Sequence, residues 1–160
     1  MATEIEHKFL LVNEDWQALV SHSADYKQGY LNSDATSSVR VRIAGKQAWI
    51  NIKSATLGTL RQEFEYEIPV ADANYMLSAL CHKPIIEKTR YFVPAQVGHH
   101  VWEIDVFAGE NAGLIVAEIE LSEQGEEFVK PAWLGKEVTN DVRYYNNQLS
   151  KHPYTTWIEK

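Results

Sequence analysis

Near the start of the chain, Glu4-Ile5-Glu6-His7-Lys8 sets two carboxylates and one ammonium at alternate positions. Successive side chains of a strand point to opposite faces, so Glu4, Glu6 and Lys8 share one face and Ile5 and Phe9 the other. A carboxylate pair suits a hard divalent cation, and a neighbouring lysine suits a phosphate as a point charge. A solvated strand face also carries mixed charge for solubility alone, so the pattern gains weight only by recurring.

It recurs. In Val39-Arg40-Val41-Arg42-Ile43 two arginines alternate with three aliphatics. Asn51 and Lys53 alternate with Ile50 and Ile52. Arg61, Glu63, Glu65 and Glu67 share a parity, as do Lys88 with Arg90, Glu103 with Asp105 and Glu118 with Glu120. The charges are sorted by strand into acid pairs and base pairs, whereas solubilising faces mix residue types. Arginine dominates the regular basic positions, which suits bidentate phosphate recognition. With this face turned inward, the interior becomes a charged tunnel. Unpaired buried charges cost several kcal/mol each, so such a tunnel calls for water, divalent cations and a polyphosphate. Metal ions bridge phosphate oxygens and offset charge on a leaving group. Other chemistries find no support. No Cys or His cluster suggests zinc, His99-His100 reads as an exposed loop pair, and neither G-x-x-x-x-G-K-[ST] nor G-x-G-x-x-G occurs.

The elements that must position these groups are mostly strands, expected at 3–12, 27–32, 37–44, 47–54, 60–69, 85–95, 100–108 and 114–123. Short links such as Ala44-Gly45-Lys46 favour antiparallel neighbours. About eight strands suffice to close a barrel and remove its edges. Helical turns are expected after Asn13-Glu14-Asp15, after Asp72 and over Asp141–Leu149, with a short helix or irregular turn over Pro131–Val138. The fold class is α+β and β-dominated: one domain over 1–160, built as an antiparallel eight-stranded closed tunnel with a charged interior and a few flanking helices.

The balance of the chain narrows its partners. A net charge of −7 argues against broad binding of nucleic acid but leaves room for a small polyanion in a local basic cluster. No apolar run approaches the ~20 residues that span a bilayer, so no membrane is expected. The polar, acidic start carries no secretory signal. One cysteine, Cys81, forms no internal disulfide and reads as a buried, inert thiol. The cytoplasm is the expected compartment.

These residues together resemble the triphosphate tunnel metalloenzymes, also called the CYTH superfamily. The resemblance rests on Glu4-x-Glu6-x-Lys8 at the N-terminus. It continues through Val39-Arg40-Val41-Arg42, Ile52-Lys53, Glu63-Phe64-Glu65-Tyr66-Glu67-Ile68 and Glu87-Lys88-Thr89-Arg90. It ends with Trp102-Glu103-Ile104-Asp105, Ala117-Glu118-Ile119-Glu120 and the closing segments Leu134–Thr139 and Asp141–Asn146. It implies a tunnel for a linear triphosphate. By position, Glu4, Glu6, Glu118 and Glu120 would hold Mg²⁺ or Mn²⁺, with Asp105 a further ligand. Glu63 and Glu65 would either bind metal or orient basic residues. Lys8, Arg40, Arg42, Lys53, Arg90 and Lys136 would clamp phosphates, with Lys88 and Arg143 as additions. Lys8, Arg40, Arg42 and Arg90 would contact the reacting groups.

The compact chain looks most like the short bacterial tripolyphosphatases. Hydrolysis of inorganic tripolyphosphate to pyrophosphate and phosphate is the leading expectation. The alternatives are hydrolysis of ATP or thiamine triphosphate, cyclisation of ATP to cyclic AMP, and an idle polyphosphate-binding module. No nucleoside pocket is legible; Trp49, Trp102, Trp133 and Trp157 read first as packing residues. A homodimer is left open.

Overall fold

The computed structural model describes residues 2–34, 36–54 and 59–160. Its strands are β1 (Ala2–Leu11), β2 (His22–Ser33), β3 (Ser37–Ala44), β4 (Gln47–Ser54), β5 (Leu60–Ile68), β6 (Ile86–Pro94), β7 (Val101–Phe107), β8 (Ile115–Glu120) and β9 (Leu134–Glu137). They form one nine-stranded sheet in the order β5-β4-β3-β2-β6-β7-β8-β1-β9, and an additional β5–β1 pairing closes eight of them into a barrel. Every pairing is antiparallel. The expected closed tunnel is present, with one strand more than expected.

β1 is the seam. Its first half pairs with β5 through Glu4↔Arg61, and Glu6↔Glu120 and Lys8↔Glu118 pair it with β8. The Glu6 N–H donates to Thr59 and the Lys8 carbonyl accepts from Val138, so β5 and β9 succeed each other along one edge of β1. β9 thus takes up the ladder where β5 leaves off. A Cβ on Gly135 of β9 would stand 3.0 Å from the Leu10 carbonyl oxygen.

Two stretches of the outward face are apolar and covered. On one side Phe9, Trp16, Ile104, Ile119 and Trp133 pack around Trp102. Trp102 meets Phe9 at 5.8 Å and Trp133 at 5.5 Å, both edge to face. Such pairs add about 0.5–1.5 kcal/mol each beyond their burial. On another side α1 (Val70–Tyr75), continued by a wider turn over Met76–Leu80, packs Ala73 and Leu77 on Val41 and Ala48. Cys81 ends that helix as a buried free thiol, and burial pushes its pKa up, as an inert role requires. Gly29 admits this contact, because a Cβ there would lie 2.8 Å from Ile85 Cδ1 and 2.9 Å from Cys81 Cβ.

The inward face changes character along the barrel. Ile86, Phe107 and Val116 hold the same parity as Lys88, Asp105 and Glu118, yet they join Leu114, Leu149, Tyr144 and Trp157 in an apolar cluster with Leu10 at its edge. The C-terminal segment therefore fills part of one end of the barrel and leaves the charged layer above it.

Three local readings differ from the structure. β2 begins at His22 rather than at residue 27, because its polar first half bonds to β6 from His22↔Phe92 onward. The segment over Pro131–Val138 yields a strand, since the second half of β1 offers an unpaired edge. The helix expected over Asp141–Leu149 divides into a 3₁₀ turn (Val142–Tyr144) and α2 (Asn146–Leu149). Tyr145 between them is extended, and its hydroxyl donates to the Thr139 carbonyl at 2.6 Å. Among the described residues no helix is long and apolar enough to cross a membrane.

Candidate active site

The barrel encloses a cavity of about 200 Å³ lined by inward side chains of all eight barrel strands except β7's deepest acid, and floored by Tyr145, Asn146 and Asn147. Seven glutamates and seven lysines or arginines line it. Strand parity delivers them, and strand register decides which face each other.

The acids come from β1, β5, β7 and β8. Lys53 Nζ donates to Glu4 at 2.8 Å and stands 3.6 Å from Glu63. Arg61 donates to Glu6 at 2.6 Å, and Lys8 pairs with Glu118 at 3.1 Å. Burial pushes the Glu118 carboxyl up, but Lys8, Arg90 and Lys88 hold it well below the usual range. Glu6 is raised, first by burial and then by Glu118. Glu120 is raised to about 7 by burial and by Glu4, Glu103 and Glu6. Among the described residues Glu120 has no cationic partner.

The bases on β3 have the opposite problem. Arg40 is buried, and its Nε finds no hydrogen-bond partner. Arg42 donates to Gln28 at 3.0 Å and stacks on Tyr26 at 4.6 Å, with no carboxylate paired to it. Burial, then Arg40 and Arg90, pull Arg42 down to about 9. A cationic pair, one member buried and the other half-buried, that faces a carboxylate wall across a small cavity suits an anion that is itself chelated by cations.

Of the expected site residues, Glu4, Glu6, Lys8, Arg40, Arg42, Lys53, Glu63, Glu65, Lys88, Arg90, Glu118 and Glu120 all line the cavity. Three stand elsewhere. Asp105, expected as a metal ligand, is 1% exposed and lies behind the lining. Arg90 Nε donates to its Oδ1 at 2.7 Å, Arg90 Nη2 to its Oδ2 at 3.0 Å and Lys88 to Oδ2 at 2.7 Å. Its oxygens are committed to aiming two cations, so it stands behind the lining rather than among the carboxylates that face the cavity. Lys136 is exposed on β9 beside an outer groove. Arg143 is exposed, pairs with Asp141 at 2.9 Å and stacks on Trp157. β9 lies outside the closed ring, and on the 3₁₀ turn Arg143 is exposed while Tyr144 packs inward, so neither Lys136 nor Arg143 joins the lining. His100, expected in solvent, is half-buried and pairs with Glu126.

Several lining residues were not among those expected. Arg61 and Glu103 share the parity of Glu63 and Asp105, so alternation alone marked them. Asn51 donates to Glu65 at 3.0 Å. Tyr145 stacks 4.8 Å from Lys8 Nζ and 5.0 Å from Arg61. Gln28 and Asn146 link Arg42 to Lys88. Tyr145 and Asn146 fall in the closing segment Asp141–Asn146, but no alternation marked them as lining, because a long-range return of the chain brings them in.

The donor set fits a hard divalent cation: oxygen ligands, crowded and under mutual repulsion. Glu4 and Glu63 crowd the one Lys53 ammonium, at 2.8 and 3.6 Å, and the neighbouring Glu4 holds Glu63 below its usual range. Among the described residues no three carboxylates converge on a ready-made ion cage. Glu4, Glu6 and Glu118 turn instead to Lys53, Arg61 and Lys8. Loading would therefore exchange these ion pairs for metal contacts.

Residues 2–154 match the CYTH domain, and the chain belongs to that family. It is 45% identical over 159 residues to an inorganic triphosphatase of Acetivibrio thermocellus, covering 99% of this chain and all of that one. It is 38% identical over 151 residues to an inorganic triphosphatase of Nitrosomonas europaea, covering 92% of this chain and 97% of that one. A crystal structure of an inorganic triphosphatase superposes with a TM-score of 0.65 at 34% identity, covering 94% of this chain and 95% of the other.

Proposed function

We propose that the chain hydrolyses inorganic tripolyphosphate to pyrophosphate and phosphate with Mg²⁺ or Mn²⁺ as cofactor. The observation that carries this reading is the pair of buried Arg40 and half-buried Arg42, without a carboxylate partner and facing an over-acidic wall in one small cavity. Both relatives named for the same activity cover nearly the whole chain, which supports it.

Glu4, Glu6, Glu118 and Glu120 would hold the cation, with Glu63 and Glu65 beside them. When bound, it would supply positive charge to phosphate oxygens and to the attacking water. Arg40 and Arg42 bind the phosphate chain opposite the acids and follow the charge that builds on the leaving pyrophosphate. Lys8, Lys53 and Arg61, now paired with Glu118, Glu4 and Glu6, would be free to donate to phosphate once those carboxylates held a cation. Asp105 keeps Arg90 and Lys88 aimed throughout. All these residues come from one chain. A cytoplasmic location goes with this reading, because a lone buried thiol needs no oxidising compartment.

The test is a panel of tripolyphosphate, ATP and thiamine triphosphate, each with Mg²⁺, with Mn²⁺ and with excess chelator. Phosphate, pyrophosphate and cyclic AMP are scored. Tripolyphosphate turnover that vanishes on chelation is expected. Full turnover under exhaustive chelation would remove the metal assignment, and cyclic AMP as main product would replace the hydrolase reading.

A further inference from the structure

We propose that Asn146 contacts the substrate, donating its Nδ2 hydrogens to a terminal phosphoryl group held at the floor of the tunnel. The assignment rests on the cavity's being a polyphosphate site.

Asn146 begins α2 and lines the cavity between Tyr145 and Asn147. Two hydrogen bonds settle which way its amide faces. Lys88 Nζ stands 3.3 Å from Asn146 Oδ1, and Gln28 Nε2 stands 3.1 Å from the same oxygen. An ammonium has no acceptor, so the atom it meets must be the oxygen. Gln28 is oriented by the same logic. Arg42 Nε donates to it at 3.0 Å, so that end is Oε1 and the other end is the amide that reaches Asn146. Both side-chain amides are thereby fixed by cations that only donate.

The consequence concerns the other half of the Asn146 amide. Its Nδ2 carries two donors, and among the described residues it donates to no protein group. A neutral donor, set in place by a fully buried glutamine and a buried lysine, therefore opens on the cavity at its floor. The ligand class that accepts there, beside Lys88 and Arg42, is an oxyanion with several free oxygens. A terminal phosphoryl group presents more of these than a bridging one. The Gln28–Asn146 pair also couples the basic strand β3 to β6, so the amide is preorganised rather than recruited.

The experiment compares Asn146→Asp with Asn146→Ala, and with Asn146→Ser should the alanine variant fold poorly. Binding of imidotriphosphate, in which nitrogen bridges resist hydrolysis, is titrated with Mg²⁺, and KM for tripolyphosphate is measured beside it. Aspartate keeps the acceptor for Lys88 and Gln28 but replaces the donor with an anion. If Asn146 meets phosphate, Asp weakens binding at least tenfold and Ala clearly less. If Asn146 only steadies Lys88, the order reverses, because Asp preserves that contact and Ala removes it. An alanine variant as weak as the aspartate one, or an aspartate variant within twofold of wild type, overturns the proposal. A wild type that binds imidotriphosphate without turning over tripolyphosphate sinks the hydrolase reading and leaves the Asn146 comparison intact. A wild type that binds neither sinks both.

Discussion

Arg90 and Asp105 form a bidentate pair just behind the cavity wall, with Nε to Oδ1 at 2.7 Å and Nη2 to Oδ2 at 3.0 Å. The same carboxylate takes the Lys88 ammonium at 2.7 Å. Burial pulls Lys88 below the usual lysine range, and Asp105 offsets part of that cost. Asp105→Asn would leave Lys88 with no carboxylate partner among the described residues and Arg90 with Glu103 alone. Removing one partner of a buried pair costs about 3–5 kcal/mol. The variant should lose stability on that scale in denaturant, and its turnover should fall even at saturating metal. Wild-type stability would show that Asp105 is not needed to hold the two cations.

Glu6 behaves differently although it too has a partner. Burial and Glu118 raise its pKa despite the contact with Arg61, so the folded chain pays for its charge near neutral pH. Glu6→Gln keeps shape and removes that charge. Turnover should drop by at least tenfold, while the metal-free variant melts no lower than wild type. A large fall in Tm would mean that the Arg61 pair outweighs the repulsion.

Glu120 makes a pH prediction whose sign runs against the usual carboxylate. Its pKa is raised from 4.5 to about 7, so the folded state binds its proton more tightly than the unfolded state does. The stabilisation is fully present below about 4.5 and is lost as pH rises through about 7. Metal-free Glu120→Gln should therefore gain Tm relative to wild type between pH 5 and pH 8. Added Mg²⁺ should flatten the wild-type slope, since a bound cation replaces the proton. A difference in Tm that stays constant with pH would show that Glu120 sits in ordinary solvent.

Arg42 carries the cationic counterpart. Its guanidinium is pulled down to about 9 by burial and by Arg40 and Arg90, an expense that an anion would offset. Arg42→Gln should leave the metal-free melting temperature equal or higher. It should lower kcat by roughly 10²–10³-fold, the usual cost of one donor that follows transition-state charge. Imidotriphosphate should then raise the Tm of wild type more than that of the variant. Equal shifts would place Arg42 outside the anion's reach.

What could be read in advance follows from the range of each signal. Parity along a strand needs only a few residues, so Glu4, Glu6, Lys8, Arg40, Arg42, Lys53, Glu118 and Glu120 were assignable before any fold was known. Closure of the barrel followed from short links and the number of strands. Parity does not say how deep a residue sits. Asp105 and Glu103 look equivalent in sequence, yet Glu103 reaches the cavity and Asp105 is consumed by Arg90 and Lys88. Depth also turns Ile86, Phe107 and Val116, on the same inward parity, into an apolar filling. Lys136 stands apart from the lining because β9 pairs outside the closed ring, which depends on how much of β1 the β5 strand leaves free, and Arg143 because it turns outward to Asp141. Tyr145 and Asn146 lay within the closing segment that carried the resemblance, but strand parity gave neither a place in the site. They reach the floor only because an extended residue breaks the expected helix.

The substrate preference is the last prediction, and the lining argues for it. Nearly every strand contributes ionic groups to the cavity, and its floor is built of Tyr145, Asn146 and Asn147, with no apolar slot for a base. Trp102 and Trp133 are buried in the outer core against each other, with Phe9 on Trp102, and Trp157 packs edge-on against Tyr144 and Tyr154. An adenosine would therefore have to stay outside, where an open groove shares Glu103 and Glu120 with the cavity. That groove gives no cationic partner to a nucleotide's substituted phosphate, whereas tripolyphosphate brings two free ends and more negative charge to the basic lining. Tripolyphosphate should be preferred over ATP in kcat/KM at equal metal and pH. A ratio favouring ATP would point to the groove, where His22 stacks on Phe92 at 4.3 Å. His22→Ala would then be expected to lower kcat/KM for ATP and leave tripolyphosphate unchanged, which measures directly whether that stack reads a base.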